Sequence, residues 1–328
     1  MLGKGIAIWD LTRKQLKGVN IPQTLLDLGM SWVTIKMTDG QWAFNRRYVN
    51  GQWVDDLLPP LVEAIKKVGI RVWGWGFSYL GYWAIPPKGY KLPKGIKKNN
   101  GKAWYANGKA EGKAAADRVK QFDLDGWMID VESNAEDAQT LHWDTAQAAF
   151  DYLVMLRGGI KPGVEIALNS FRHPLQHHLP WKQYYNMIDM HMPQVYWVGA
   201  HNAAQQLINS YDEITKHCLA LSNRKLPYVP EGSAYGDEHS SWAPTPKDIK
   251  EFADKAHQLN MPGISYWALD ESGGPLDRPE LYAAIKADVW NPPPTPPDVP
   301  PVVVPDLAFT TERWERVYQD LLDRKGML

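Results

Sequence analysis

Short apolar runs of β character and longer runs of helical periodicity alternate along this chain as far as residue 287. The β-like runs are GIAIWD (5–10), WVTIKMTD (32–39), RVWGWGFSY (71–79), GWMIDVES (126–133), EIALNSF (165–171), MHMPQVYW (190–197), LPYVPEG (226–232) and GISYWALDE (263–271). A helical run separates each from the next, and another, RPELYAAIKADV, follows the last. Strands joined by helices run parallel and need helices packed on the sheet. A doubly wound sheet would want a glycine-rich turn after the first strand, where this chain reads LTRKQ. The pattern therefore predicts an α/β fold, a (β/α)8 TIM barrel over residues 1–290. Gly29, Gly69 and Gly158 are expected to terminate helices, and Thr245-Pro246 to start one.

Beyond the alternation the composition changes. Residues 291–305, NPPPTPPDVPPVVVP, contain eight prolines and predict a stiff linker. In 306–328, Trp314, Val317, Tyr318, Leu321 and Leu322 recur at helical spacing, so an amphipathic helix is expected. Alone it cannot bury its apolar face; it docks on the barrel or mediates oligomerisation. A net charge of −1 over 328 residues argues against nucleic-acid binding. No apolar run is long enough for a membrane span. GIAIWD reaches Asp10 too early for a secretory signal, which leaves a cytoplasmic location, release by another route, or a signal outside this sequence. Cys218 reads as a packed thiol.

GWMIDVES ends in two carboxylates separated by one valine, Asp130 and Glu132. On a strand they point the same way, and in a barrel of this kind the active site lies at the C-terminal strand ends. The other polar groups at those ends are Asp10, Lys36, Asp39, Ser78, Tyr79, Asn169, Gln194, Tyr196, Glu231, Asp270 and Glu271. Strand ends are wet and polar in any barrel, but two parallel carboxylates repel unless something uses them. Such a pair splits its pKa values and keeps one proton for general acid work. Glu132, nearer the mouth, is the better acid, and Asp130 would orient it or the substrate. Sixteen tryptophans raise the expectation of a carbohydrate ligand, with Trp75 and Trp267 as candidate stacking surfaces.

An early strand-one aspartate in GIAIWD, WVTIKMTDG on strand two and hydrophobic-D-x-E on strand four resemble the family 25 lysozymes and, more distantly, the family 18 chitinases. MPQVYW resembles the strand that lines the chitinase pocket. The resemblance implies a glycosidase on an amino-sugar polysaccharide such as peptidoglycan, with Glu132 as proton donor. Asp130 would assist attack by the substrate's own N-acetyl group, and Asp10 would complete the core. Asp39, Trp75, Tyr79, Asn169, Gln194, Tyr196, Glu231, Trp267 and Asp270 are the expected substrate contacts. The longer chitinase motif has an aspartate where this chain has Met128.

A two-carboxylate retaining layout would instead pair Glu132 with Glu231. A carbohydrate-binding barrel without turnover is a further alternative. An insertion after strand two carries Trp42, Phe44, Tyr48 and Trp53 around an Asn50-Gly51 hairpin signal, read either as a sugar platform or as a pin onto the barrel. A second insertion, after strand three, holds eight lysines between residues 81 and 113, either a clamp for an anionic polymer or a solvated lid. No histidine pair has metalloprotease spacing, so no metal or cofactor is expected.

Overall fold

The computed structural model describes residues 3–84, 103–140, 145–236 and 241–290. The proline-rich segment, the C-terminal helix and most of the lysine-rich insertion expected from the sequence lie outside the described residues.

Eight parallel strands close a ring. They are β1 (Gly3–Ile8), β2 (Trp32–Asp39), β3 (Arg71–Phe77), β4 (Gly126–Asp130), β5 (Glu165–Asn169), β6 (Met190–His191, then Gln194–Val195), β7 (Glu231–Ser233) and β8 (Gly263–Trp267). The first piece of β6 pairs with β5 and the second with β7, while β8 returns to β1. Pro193 splits β6, because proline has no N–H to give a ladder. The same limit shortens β7 against expectation: Pro227 and Pro230 contribute only carbonyls, accepting from His191 N and Ser265 N.

The helices are α1 (Ile21–Asp27), α2 (Leu58–Lys67), α3 (Gly108–Phe122), α4 (Ser133–Thr140), α5 (Thr145–Gly159), α6 (Trp181–Met187), α7 (Ala203–Ser222), α8 (Pro246–Gln258) and α9 (Pro279–Ala287). Thr245 caps α8 in a reciprocal capping box with Asp248. Gly29 and Gly69 take positive φ just past α1 and α2, as a helix stop requires. Gly158 does not; it lies inside α5, and the next positive φ is at Gly163. Asn50 and Gly51 both take positive φ between Arg47–Val49 and Gln52–Val54, as a two-residue hairpin turn demands. Cys218 is buried on α7.

Two apolar layers follow from strand alternation. Outward residues such as Ile6, Ile35, Trp127, Ile129 and Ile166 pack under the helices. Inward residues form a second cluster of Trp32, Trp73, Trp75, Met128, Ala167, Met190, Met192 and Val229. Three indoles fit inside one barrel because neighbouring strands give up side chains. A Cβ at Gly5 would lie 2.2 Å from the Trp32 ring, and one at Gly126 would lie 2.4 Å from the Trp73 ring.

Gly126→Ala should therefore overpack the interior and destabilise the fold by about 3 kcal/mol, the upper part of the overpacking range. Trp73→Val vacates the ring, so the double variant should be less destabilised than the sum of the two single changes. Chemical denaturation of the four proteins checks this; simple additivity would remove the proposed contact.

Candidate active site

β4 carries one inward row: Gly126 beneath Trp73, Met128 in the aromatic layer, and Asp130 at the mouth. The alternate row, Trp127 and Ile129, is locked outward, with the Trp127 indole donating to the Tyr152 hydroxyl on α5 at 3.0 Å. Past Asp130 the chain stays extended for a further step, as Val131 N–H donates to Asn169 O at 3.0 Å. Glu132 thus follows Asp130 on the mouth side, just before α4 begins at Ser133.

The Gln194 amide joins the two carboxylates. Its Nε2 donates to Glu132 Oε1 at 2.7 Å and to Asp130 Oδ1 at 3.3 Å. Asp130 is buried and Glu132 is half-buried. Burial pushes the Asp130 carboxyl well above its ordinary range; the charges of Glu132 and then Glu231 push the same way, and Lys36 opposes them. A carboxyl so placed holds a proton more tightly than a solvated one.

Glu231, at the start of the short β7 strand, is wholly buried. Its Oε2 accepts from Tyr196 Oη at 2.8 Å and Asn169 Nδ2 at 3.0 Å, and its Oε1 lies 3.5 Å from Ser265 Oγ. Burial raises its pKa to about 7 against these bonds, and the Glu132 charge adds to the rise. The Tyr196 phenol is held neutral by burial and by the Glu231 charge.

β2 supplies the cation. Lys36 Nζ pairs with Asp39 Oδ1 at 2.9 Å and sits over the rings of Phe44 (4.4 Å), Trp75 (5.2 Å) and Trp9 (5.8 Å). Tyr79 Oη donates to Asp39 at 3.3 Å, and burial together with the Asp39 charge pushes the phenol up to about 12. The floor is aromatic: Trp75 and Trp267 meet at 5.3 Å edge to face, and Trp9 lies 6.1 Å from Trp267. The Trp75 indole donates to Ile8 O at 3.1 Å, which fixes its ring.

Ten of the residues expected from the sequence are thus gathered at one barrel end: Asp39, Trp75, Tyr79, Asp130, Glu132, Asn169, Gln194, Tyr196, Glu231 and Trp267. The other two also make contacts within the fold. Asp10 stands at the same end, half-buried, with its Oδ1 accepting from Thr12 N at 2.9 Å and Thr12 Oγ1 at 2.7 Å. Asp270 is fully buried with its oxygens on the amides of Trp9 (2.8 Å) and Asp10 (2.7 Å), so it fastens β1 to the segment after β8 and presents nothing to a ligand. Lys36, expected at a strand end, and Ser265, which was not, both belong to the site; the signal for Ser265 was parity, since it shares a strand face with Trp267.

Three of the histidines are paired away from the mouth: His173 with Glu213, His177 with Glu136 and His201 with Asp248. Among the described residues no group of three or more His, Cys, Asp or Glu side chains is placed to hold a metal ion, and no helix is long and apolar enough to cross a membrane.

No family model and no curated protein matches the chain. Solved structures do match in fold. A GH18 chitinase from Pseudoalteromonas aurantia superposes with a TM-score of 0.57 at 16% identity, over 88% of this chain and 100% of that one. A chitinase from Bacteroides thetaiotaomicron gives 0.58 at 9% identity, over 88% and 96%. The spore cortex-lytic enzyme SleL of Bacillus cereus gives 0.54 at 8% identity, over 88% and 74%. The likeness is to the TIM-barrel fold of these family 18 and cortex-lytic proteins; it does not carry the family 25 lysozyme resemblance read from the sequence.

Glu231 gives the site a pH signature in stability. Its folded pKa of about 7 lies above the ordinary 4.5, so its contribution is fully present below about pH 4.5 and is lost as pH rises through about 7. Between those limits wild type should lose roughly 3 kcal/mol relative to Glu231→Gln, which cannot ionise. Denaturation curves of both proteins across this range check it, and a pH-independent difference would contradict it.

Proposed function

We propose that this chain is a glycoside hydrolase acting on an amino-sugar-containing polysaccharide, with Glu132 as general acid and Asp130 assisting. The observation that carries the reading is the Asp130–Gln194–Glu132 unit: two carboxyls joined by one amide donor above a floor of tryptophans. Its low-dielectric setting keeps at least one proton on the pair. The half-buried Glu132 meets the glycosidic oxygen, and the buried Asp130 lies behind it. The solved structures of similar fold, chitinases and a spore cortex-lytic enzyme by their titles, support an amino-sugar polymer as the substrate class.

In the first step Glu132 gives its proton to the glycosidic oxygen as the bond from that oxygen to the anomeric carbon breaks. The acetamido carbonyl oxygen of the same sugar forms the new bond to that carbon, closing a five-membered ring. Ionised Asp130 accepts the acetamido N–H and balances the charge that develops there. In the second step water attacks the anomeric carbon, Glu132 takes its proton, and the ring reopens with retained configuration. Lys36 is suited to the ionised moment of Asp130, because it is the cation that opposes the surrounding carboxylates.

The two-carboxylate layout has less support. Glu231 is fully buried with its oxygens engaged by Tyr196, Asn169 and Ser265, which leaves no open face toward a sugar carbon.

The test is hydrolysis of soluble oligosaccharides with and without N-acetyl groups, alongside turbidity assays on peptidoglycan and chitin. Wild type should cleave only the N-acetylated series, and Glu132→Gln should lose at least about 100-fold in kcat while keeping its fold. Efficient cleavage of the non-acetylated series, abolished by Glu231→Ala, would favour the two-carboxylate enzyme. Binding without turnover on every glycan would make the barrel a carbohydrate-binding module.

A further inference from the structure

The hairpin that follows β2 presents large aromatic side chains to solvent on the mouth side of the barrel. Trp42 is 56% exposed, Tyr48 64% and Trp53 60%. A loop that needed only solubility would not place three such rings outside the core. Two readings stood open from the sequence: a pin onto the barrel, or a platform. Phe44, half-buried against Lys36, pins the loop, while the exposure of Trp42, Tyr48 and Trp53 leaves those three free to act as a platform.

The hairpin is fastened by other residues. Asn45 is buried and donates to Lys36 O at 2.8 Å and to Trp9 O at 3.0 Å, while its Oδ1 accepts from Leu11 N at 2.8 Å. Arg46 Nη2 donates to Trp53 O at 2.9 Å, and Arg47 grips Asp56 through Nε at 3.0 and 3.1 Å. Tyr48 and Trp53 are cross-strand partners whose rings meet edge to face at 5.2 Å, so each holds the other's orientation. Rings fixed in this way lose little freedom when they bind.

The loop that carries these rings is also joined to the candidate active site at Trp42. Trp42 pairs with Asp39 across the antiparallel ladder, which puts both side chains on one face of the ribbon. Asp39 is the residue that holds Lys36 and Tyr79 at the mouth. Trp42 is thus tied to the mouth through Asp39 and Tyr79, and the Tyr48–Trp53 pair follows it within a dozen residues on the same loop. The apolar C–H faces of pyranose rings stack on such side chains, while Asn50, Gln52 and the two arginines beside them suit the hydroxyls around the sugar edge.

We propose that Trp42, Tyr48 and Trp53 form a rim subsite that binds the same polysaccharide outside the mouth and holds long chains against the barrel. This rests on the proposed function for the identity of the polymer, but it is read by binding rather than by turnover.

The full-length protein is tested by co-sedimentation with insoluble chitin and with purified bacterial peptidoglycan, and by kinetics on a soluble tetrasaccharide of N-acetylglucosamine. Tyr48→Ala/Trp53→Ala should weaken binding to whichever polymer wild type retains by about tenfold or more, with tetrasaccharide turnover within about twofold of wild type. If the double variant melts early, Trp53→Phe and Trp53→Leu take its place: the aromatic change should keep most of the binding and the aliphatic one should lose it. Unchanged polymer binding in these variants overturns the proposal, as does a wild type that sediments with neither polymer. So does a wild-type dimer, seen by sedimentation velocity, that the variants break while polymer binding stands. Failure to hydrolyse the tetrasaccharide, with polymer binding intact and dependent on the rings, would instead count against the proposed catalytic function.

Discussion

The Trp73 indole occupies the space that a side chain at position 126 would need, and the orientation of β4 follows from that contact. With glycine at 126, the inward row of the strand reads Gly126, Met128, Asp130. A slip of one residue would turn Trp127 and Ile129 inward and bury Asp130 under the helices. The Trp127–Tyr152 hydrogen bond opposes the same slip from the outer layer. The Trp32–Gly5 contact repeats the device between β2 and β1. Large and small residues thus interlock around the ring, and the carboxylates stand at the mouth because the floor below them is already full.

That floor sets the electrostatics. Glu132, Glu231, Asp39 and Lys36 all act on the buried Asp130, over indoles that offer no compensating solvation. Four carboxylates cannot all ionise cheaply in such a place. Glu231 is compensated by three fixed donors, Asp39 by Lys36 and Tyr79, and Asp130 and Glu132 share the Gln194 amide. Burial and mutual repulsion nevertheless raise both Asp130 and Glu231 above the ordinary carboxylate range. The crowding of carboxyls that destabilises the mouth is also what makes protons hard to remove there.

Local signals were legible where the determining physics was local. The alternation of strand and helix, the Thr245–Pro246 cap and the Asn50–Gly51 turn depend on residues adjacent in sequence, and the structure has each of them. The breaks in β6 and β7 were signalled by Pro193, Pro227 and Pro230, but a missing ladder donor weighs less in a pattern than a row of apolar residues. Asp270 defeats the strand-end rule for a different reason. A carboxylate at a strand end serves equally well to cap its own turn or to tie two backbone segments, and that choice depends on partners up to 261 positions away. Lys36 was placed at the mouth from the sequence, but its burial against Asp39 and three aromatic rings depends on partners that only the folded barrel brings together. The likeness to chitinases and to a cortex-lytic enzyme came through the layout of the barrel, with identity between 8% and 16%, so layout rather than motif carries it.

The central claim is that Asp130 and Glu132 act together on a sugar whose own acetamido group attacks its anomeric carbon. A thiazoline analogue of the N-acetylglucosamine disaccharide is a stable mimic of the cyclised sugar, and calorimetric titration measures its affinity without turnover. If the claim holds, wild type binds the thiazoline at least about 100-fold more tightly than the parent disaccharide, as a site complementary to the reacting state should. Asp130→Asn should then lose most of that advantage while binding the parent disaccharide as before. Equal affinity of wild type for the two ligands would contradict the account.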